Sequence, residues 1–388
     1  MKSRAPFRPP ITAPKPERLP DDAHSIVETR LPDQALKGRG AVSNRPGRFE
    51  PGDRTREDDG WSAIDGEDED MPAVATTVTI DATRSAIAWN ESPDVGFDRS
   101  VNPYRGCEHG CVYCFARPTH SYLGLSPGLD FETRLFAKPE APRLLAEELS
   151  KPGYRPALLA MGTNTDPYQP IEREMKITRG VLEVLAAFNH PVAIVTKSAL
   201  VLRDVDILAP MARQGLAAVT LSVTTLDRDL ARKLEPRAAT PPRRLATIRH
   251  LADAGIPVSV LAAPMIPALN DMEMEAIFEA CQKAGAIACG YAVLRLPLEI
   301  KDLFAEWLET HAPGKAKHVM SLIRDMRRGA LYVSEFGERM RGSGPYADLL
   351  AHRAKLARKR LGLDKRRNEL RTDLFRVPPR AGQQMKLF

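Results

Sequence analysis

The sequence has no apolar segment long enough to cross a membrane, which excludes the transmembrane class. No run of about 18 apolar residues occurs in its 388 positions. The opening residues MKSRAPFRPP contain no apolar h-region, so we expect no secretory signal and a cytoplasmic location. Five cysteines are few for a disulfide framework, and three of them lie within eight residues. This clustering indicates metal or redox chemistry.

Charge is unevenly distributed along the chain, whose formal net charge is +6. Residues 57–70 contain eight acidic and no basic side chains, whereas residues 351–388 contain twelve lysines and arginines against three acidic residues. The excess of positive charge therefore belongs to the C-terminal region. Arg353, Lys355 and Arg358 have helical spacing there, which favours a surface that contacts the phosphates of a nucleic acid. A solvated helix face is the alternative.

The pattern of the chain predicts four regions. Residues 1–72 are rich in proline, glycine and charge, which predicts a disordered leader. Residues 73–298 form the core, which opens with a β-branched segment at 74–87 that predicts a short hairpin. Residues 299–377 are predicted to be a helical, basic C-terminal extension, and residues 378–388 a flexible tail.

The core alternates apolar runs of strand length with amphipathic helical segments. The predicted strands are Ser100–Tyr104, Ala157–Met161, Val192–Thr196, Ala217–Val223, Pro257–Ala262 and Ala286–Leu294. Nearly continuous apolar strands separated by helices are typical of a parallel sheet that is covered on its faces. Six βα units are too few for a closed eight-stranded barrel. The fold class is therefore predicted to be α/β, a partial (β/α)6 barrel of the TIM type.

The three clustered cysteines read Cys107-Glu-His-Gly-Cys111-Val-Tyr-Cys114 and fall in a predicted loop at 105–117, after the first strand. A four-iron cluster usually has four thiolate ligands, so three cysteines would leave one iron open to another ligand. Two alternatives remain at this stage. One is a zinc site completed by His109, and the other is a complete cluster that recruits Cys281 or Cys289.

The CxxxCxxC loop, with an aromatic residue before its last cysteine and a six-unit partial barrel around it, resembles the radical S-adenosylmethionine (radical SAM) superfamily. Three further segments, TDPYQPIE at 165–172, TKS at 196–198 and EPR at 235–237, are similar to the spore photoproduct lyase branch. The resemblance implies a 4Fe-4S cluster on the three cysteines and S-adenosyl-L-methionine on its open iron. It further implies reductive cleavage to a 5′-deoxyadenosyl radical, and an electron donor such as flavodoxin or ferredoxin as a partner.

The resemblance also implies cofactor-binding positions. Tyr113 would lie against the adenine, and Lys197 would pair with the carboxylate of S-adenosylmethionine. Ser222 and Thr224 would contact the ribose, and Gly290 would let the adenine approach the last strand. The loop after the second strand would meet the methionyl amine, and its residues are Gly162, Thr163, Asn164, Thr165 and Asp166.

One departure from the spore photoproduct lyase pattern bears on the substrate. These lyases use a cysteine as hydrogen donor, expected just before the Thr-Asp pair, but residues 161–166 here read MGTNTD. Repair of the spore thymine lesion by that route is therefore not expected. The sequence predicts a radical SAM enzyme that acts on nucleic acid or in its repair. An RNA- or protein-modifying radical SAM enzyme and a non-catalytic iron–sulfur protein that binds DNA are the alternatives.

The last five residues, QMKLF, are similar to the short QxxLF peptide that binds a bacterial sliding clamp. Gln384 would make a polar contact, while Leu387 and Phe388 would fill an apolar pocket. A hydrophobic latch onto the body of the protein is the alternative interpretation of these residues.

Overall fold

Six parallel strands form most of the main sheet in the computed structural model, which describes residues 35–50, 75–364 and 369–379. The sheet has the order β2-β3-β6-β7-β8-β9-β10, and only β2, at its edge, is antiparallel. Its strands are β2 (Ile87–Trp89), β3 (Arg99–Val101), β6 (Leu159–Met161), β7 (Val192–Thr196), β8 (Ala217–Ser222), β9 (Val258–Met265) and β10 (Ala288–Val293). A smaller sheet contains β1 (Thr77–Ile80), β4 (Tyr104–Arg105) and β5 (Arg134–Ala137).

Helices follow the strands in the order that the sequence predicts. In the core they are α1 (Asp130–Thr133), α2 (Ala141–Leu149), α3 (Glu172–Met175), α4 (Ile177–Ala187), α5 (Val205–Arg213), α6 (Arg228–Leu234), α7 (Pro241–Asp253) and α8 (Met274–Lys283). The C-terminal region adds α9 (Ile300–His311), α10 (Pro313–Asp325) and α11 (Pro345–Arg360). The predicted partial (β/α)6 barrel is confirmed, because each of the six parallel strands pairs with its sequence neighbours and the sheet does not close.

The predicted hairpin at 74–87 is wrong. β1 pairs in parallel with β5, and β2 pairs antiparallel with β3. The two strands therefore belong to different sheets. β-Branched residues predict extended backbone here correctly, but the partner of each strand depends on contacts distant in sequence.

The C-terminal extension shares a hydrophobic core with the cysteine loop. Phe304 and Trp307 of α9 are buried together with Val112, which lies between two of the cysteines. Helix α11 packs on α8 through its buried alanines and Leu350. Residues 369–377 contain no helix, in contrast to the prediction, and Phe375 packs against Tyr154 instead. The tail residues 380–388, with Gln384, Leu387 and Phe388, lie outside the described residues.

Part of the predicted leader is packed against the core. Within residues 35–50, Ala41, Val42 and Ser43 are buried, and backbone amides of this segment bond to the carboxylate of Glu132. The composition of residues 35–50 could not predict that this glycine-containing segment is ordered, because its stability comes from contacts with residues that are distant in sequence. Residues 1–34 and 51–72 lie outside the described residues. No helix in the described ranges is both long and apolar enough to span a membrane.

The buried His190, two residues before β7, allows the effect of pH on folding stability to be tested. His190 donates from Nδ1 to the carbonyl of Pro191 and accepts at Nε2 from the hydroxyl of Tyr154, and burial lowers its pKa to about 4. The unfolded chain binds a proton there near pH 6.5, so its stabilising effect is lost as the pH falls from about 6.5 towards 4. We expect His190 to account for roughly 2 kcal/mol of lost stability at pH 5.

Urea unfolding at pH 7.5 and pH 5 measures this effect in the full-length chain. The His190→Gln variant should lose less stability between the two pH values than the wild-type chain does. The exposed His352→Gln variant is the control and should follow the wild type. Equal pH dependence in all three proteins would contradict the assignment.

Candidate active site

A cavity of about 200 Å³ lies at the carboxyl ends of the parallel strands. All three clustered cysteines line it, together with residues that directly follow β6, β7 and β10. In parallel α/β folds the carboxyl ends of the strands carry the functional loops, since successive loops converge there. This cavity is therefore the candidate active site.

The cysteine loop turns tightly around the strand end. The amide of Gly110 donates to the carbonyl of Cys107, and the amide of Cys114 donates to the carbonyl of Cys111. These turns direct Cys107, Cys111 and Cys114 into one cavity. Gly40 covers the outside of the loop so closely that a Cβ there would lie 1.7 Å from the carbonyl oxygen of Gly110.

The buried ion pair of Arg117 and Glu132 supports the cysteine loop. Arg117 is completely buried and donates to the carbonyls of Cys111, at 2.8 Å, and Gly128, at 2.8 Å, as well as to the Glu132 carboxylate. The same carboxylate accepts the amides of Gly40, at 3.0 Å, and Ala41, at 2.8 Å. A buried carboxylate with this many donors fixes the position of the loop before any ligand binds.

The donor set fits an iron–sulfur cluster better than a single metal ion. Among the residues that the structure describes, no three His, Cys, Asp or Glu side chains come together to hold one metal ion. His109 contacts Asp166, with 3.3 Å between Nδ1 and Oδ2. Cys281 and Cys289 are buried in the core and do not line the cavity. Three converging thiols thus leave one iron of a cluster open.

Two of the three clustered cysteine thiols have raised pKa values. Burial raises the pKa of Cys111 to about 12 and that of Cys107 well above its ordinary value. Thiolates are the form that ligates iron, so a positively charged cluster would compensate the cost of burying them. Ligation of iron by these cysteines therefore requires the loss of thiol protons that burial otherwise retains.

Asp166 connects the loop after β6 to β7. Its carboxylate accepts the Thr196 hydroxyl at 2.7 Å and the Lys197 amide at 2.8 Å, in addition to its contact with His109. Burial alone would raise the pKa of Asp166, but His109 and these hydrogen bonds lower it to about 2. The backbone turn before it depends on Gly162, whose φ is +84° and whose Cβ, if present, would lie 1.9 Å from the Val195 carbonyl oxygen.

A second buried network holds Tyr113. Glu235 accepts hydrogen bonds from the Tyr113 hydroxyl, the Thr224 hydroxyl and the Arg244 guanidinium. Burial would raise the pKa of Glu235, but Arg244 and Lys197 lower it below its usual range. Lys197 lies over the Tyr113 ring, with Nζ 5.7 Å from its centroid. The two side chains form one wall of the cavity.

Most of the residues predicted to bind the cofactor line this cavity. They are Tyr113, Gly162, Thr163, Asn164, Thr165, Asp166, Lys197 and Ser222. Thr224 does not line it, since its hydroxyl is directed to Glu235 and to the carbonyl of Ala263. Gly290 does not line it either, and Ala292, two residues further along β10, does so instead. The cavity is lined by the carboxyl end of β10, from Ala292 to Arg295, and Gly290 lies nearer the middle of this strand.

Sequence reasoning missed the wall formed by the end of β10 and the C-terminal region. Arg295 and Met340 line the cavity, and the Arg295 guanidinium lies 4.1 Å from the centroid of the Phe115 ring. Arg327 donates hydrogen bonds to the carbonyl of Leu294, which directly follows β10, and to the carbonyl of Arg339, which directly precedes Met340. These two bonds hold Met340 against the end of β10. The only sequence signal for Arg295 is its position as a charged residue directly after the predicted apolar strand Ala286–Leu294.

A three-cysteine loop at the carboxyl ends of a partial parallel barrel defines the class of radical SAM enzymes. Residues 101–281 match the model of the radical SAM superfamily. An uncharacterized protein of Mycobacterium tuberculosis is 36% identical over 260 residues, which cover 66% of this chain and 75% of that protein. The chain belongs to the radical SAM superfamily. It is accordingly an enzyme that uses a 4Fe-4S cluster and S-adenosylmethionine.

Further comparisons agree on the fold. An uncharacterized protein of Methanocaldococcus jannaschii is 28% identical over 173 residues, which cover 45% of this chain and 62% of that protein. Spore photoproduct lyase, in a structure with dinucleoside spore photoproduct, superposes with a TM-score of 0.53 at 14% identity. That alignment covers 73% of this chain and 79% of the lyase. The fold is thus that of spore photoproduct lyase, as the sequence motifs predict.

Proposed function

We propose that this radical SAM enzyme abstracts hydrogen from a nucleic acid. The observation that carries the proposal is Arg295. This guanidinium lines the cavity, and no described residue forms an ion pair or a hydrogen bond with its side chain. Burial lowers the pKa of Arg295, so an anionic ligand would relieve the cost of its partial desolvation. Phosphate oxygens match the donor geometry of arginine.

The neighbour of Arg295 supports the same substrate class. Phe115 is 42% exposed and stacks with the guanidinium. Aromatic faces beside arginines bind unpaired nucleobases, because stacking and phosphate contacts act together. Outside the cavity, Lys355, Lys359 and Arg360 are exposed on α11, whereas Arg353 is neutralised by Glu275. Only part of the predicted basic surface is therefore free for a phosphate backbone.

When bound by this site, a 4Fe-4S cluster would supply the electron for reductive cleavage of S-adenosylmethionine. Within our proposal, Cys107, Cys111 and Cys114 hold three irons, and Tyr113 provides a face for the adenine. Lys197 neutralises the methionyl carboxylate, and residues 162–166 meet its amine. Asp166 would act indirectly, since its oxygens are already occupied by Thr196 and the Lys197 amide.

The cavity contains no hydrogen-donating thiol besides the three cluster cysteines, as far as its described lining extends. Dinucleoside spore photoproduct is the ligand in the lyase structure of the same fold. The present chain would return hydrogen to its product by another group, or would release an oxidised product. We therefore propose nucleic acid as the substrate without thiol-dependent lesion repair.

An isotope experiment tests the proposal. After anaerobic reconstitution of the cluster, dithionite and S-adenosylmethionine are added with deuterated single-stranded DNA, RNA or a peptide. Deuterium should enter 5′-deoxyadenosine from a nucleic acid and not from the peptide. Deuterium transfer from the peptide alone would instead favour the protein-modifying alternative. Absence of 5′-deoxyadenosine with an intact cluster would contradict the enzymatic chemistry itself.

The Arg295→Gln variant tests the phosphate contact. We expect its KM for an oligonucleotide substrate to rise by about tenfold, which corresponds to the loss of one charged hydrogen-bonding partner. Arg341→Gln is a matched control, because Arg341 is exposed and does not line the cavity. Equal KM values in the two variants would show that Arg295 does not bind the substrate.

A further inference from the structure

A second cleft, of about 540 Å³, abuts the cysteine loop on a different side from the active-site cavity. His109 lies between the two and lines both. The charged and titratable side chains around this cleft, apart from a tyrosine, are all basic. They are His109, Arg173, Arg203, Arg237 and Arg243. No carboxylate is among the residues that line it.

The arginines of this cleft differ in their partners. Arg203 is engaged by Glu172, at 2.7 Å, and Asp204, at 2.8 Å, and Arg237 lies 3.3 Å from Glu108. Arg173 and Arg243 are exposed, and neither has an ion pair or side-chain hydrogen bond among the described residues. The positive charge of these two side chains is therefore available to a partner in solution.

The cysteine loop contributes one residue, His109, to the lining of the cleft. The Arg237 amide donates to the carbonyl of His109 at 3.3 Å, and His109 lies two residues from both Cys107 and Cys111. A molecule bound in this cleft is thus separated from the cluster ligands by one layer of protein. This proximity is what an electron donor requires.

Two other parts of the loop are covered by packing contacts. Gly40 packs on one side, and Val112 is buried against α9 on another. The active-site cavity must admit S-adenosylmethionine and the substrate, so a donor cannot use it during turnover. The arginine cleft reaches the loop at His109, which neither of these packing contacts involves.

We infer that this cleft is the docking face for a small acidic protein that carries single electrons. This inference rests on the proposed function, which requires reduction of the cluster. A flavodoxin in its anionic hydroquinone form would lose one electron, become the neutral semiquinone, and reduce the cluster by one electron without moving a proton. Transient electron-transfer complexes bury little area and depend on complementary charge, which suits two exposed arginines beside the loop.

The test removes the two free charges with the double substitution Arg173→Gln and Arg243→Gln. The probe is oxidised flavodoxin, whose Kd for the full-length, cluster-loaded enzyme is measured by calorimetry at low and moderate salt. We expect the Kd to increase about tenfold at low salt, and its salt dependence to weaken. Reduction of the cluster by flavodoxin hydroquinone, followed by stopped flow, should slow in parallel.

The matched control removes exposed arginine charge elsewhere, with Arg213→Gln on α5 and Arg324→Gln on α10, neither of which lines the cleft or the active-site cavity. This control should leave the Kd of flavodoxin unchanged. Cleavage of S-adenosylmethionine with dithionite should be equal in both double variants, because dithionite needs no docking face. Failure of that reaction in every protein would count against the proposed function, whereas the flavodoxin Kd is measured independently of it.

Three results would overturn the inference. The first is an unchanged flavodoxin Kd in the Arg173 and Arg243 variant. The second is weaker binding of a short DNA duplex in that variant with flavodoxin unaffected, which would make the cleft a nucleic-acid surface. The third is an effect on binding of inorganic phosphate alone, which would make it a small-anion site.

Discussion

The Cys111→Ala variant is expected to lose both the iron–sulfur cluster and the cleavage of S-adenosylmethionine, down to the level of a protein-free reaction. Cys111 lines the cavity with Cys107 and Cys114, and no further thiol is present in the described lining to replace it. With two thiolates, two of the four irons would lack a protein ligand, so a stable cluster should not form. Iron content, visible absorbance and 5′-deoxyadenosine production after anaerobic reconstitution measure the loss.

Cys281→Ala is the matched control for this experiment. Cys281 is fully buried in α8 and lies away from the cavity, so its variant should retain iron and cleavage activity. Circular dichroism on both variants checks that the fold is preserved, since a buried cysteine also contributes to packing. Loss of the cluster in Cys281→Ala, or its retention in Cys111→Ala, would contradict the three-cysteine assignment.

The Glu235→Gln variant should lose about 3 kcal/mol of folding stability. Glu235 and Arg244 are both at most 2% exposed, and the substitution leaves the Arg244 guanidinium buried without an anion. Removing one partner of a buried ion pair exposes the full desolvation cost of the other. The Tyr113 hydroxyl also loses an ionic acceptor, so the wall of the cavity should loosen. Urea unfolding of the full-length chain measures the change in free energy.

The exposed pair Glu279 and Lys283 gives a control with the same chemical change. Glu279→Gln removes an i,i+4 ion pair on the surface of α8 and should cost less than about 0.5 kcal/mol. A double variant, Glu235→Gln with Arg244→Met, should recover part of the stability, because the orphaned charge is gone. A loss no greater in Glu235→Gln than in Glu279→Gln would disprove the role of the buried pair.

The order of strands and helices could be predicted because each depends on a local pattern. The run Val192–Thr196 is one strand both in prediction and in structure, and the helix Ile300–His311 begins and ends where its apolar period does. The three cysteines converge because their spacing lies within one loop. The loop after β6 lines the cavity because parallel strands bring their carboxyl ends together.

The remaining features depend on contacts between distant parts of the chain. Glu132 binds amides of residues 40 and 41, more than 90 positions earlier, and nothing near Glu132 indicates that partner. Thr224 lies two residues after β8, as predicted for a site residue, but its hydroxyl donates to Glu235, which directly follows α6. The arginine cleft is assembled from four separate segments of the chain, so its concentration of charge is not visible in the linear sequence.

Because Met340 lies far after the three cysteines in the sequence, the active-site cavity is completed later in synthesis than the cysteine loop. Arg327 and the amide of Val293 fix the segment around Met340 against the end of β10, so this wall is contributed by residues far beyond the region matched by the superfamily model. During synthesis, the three cysteines leave the ribosome more than 200 residues before Met340 does. The complete binding cavity therefore exists only once synthesis has passed Met340, long after the three cysteines have left the ribosome.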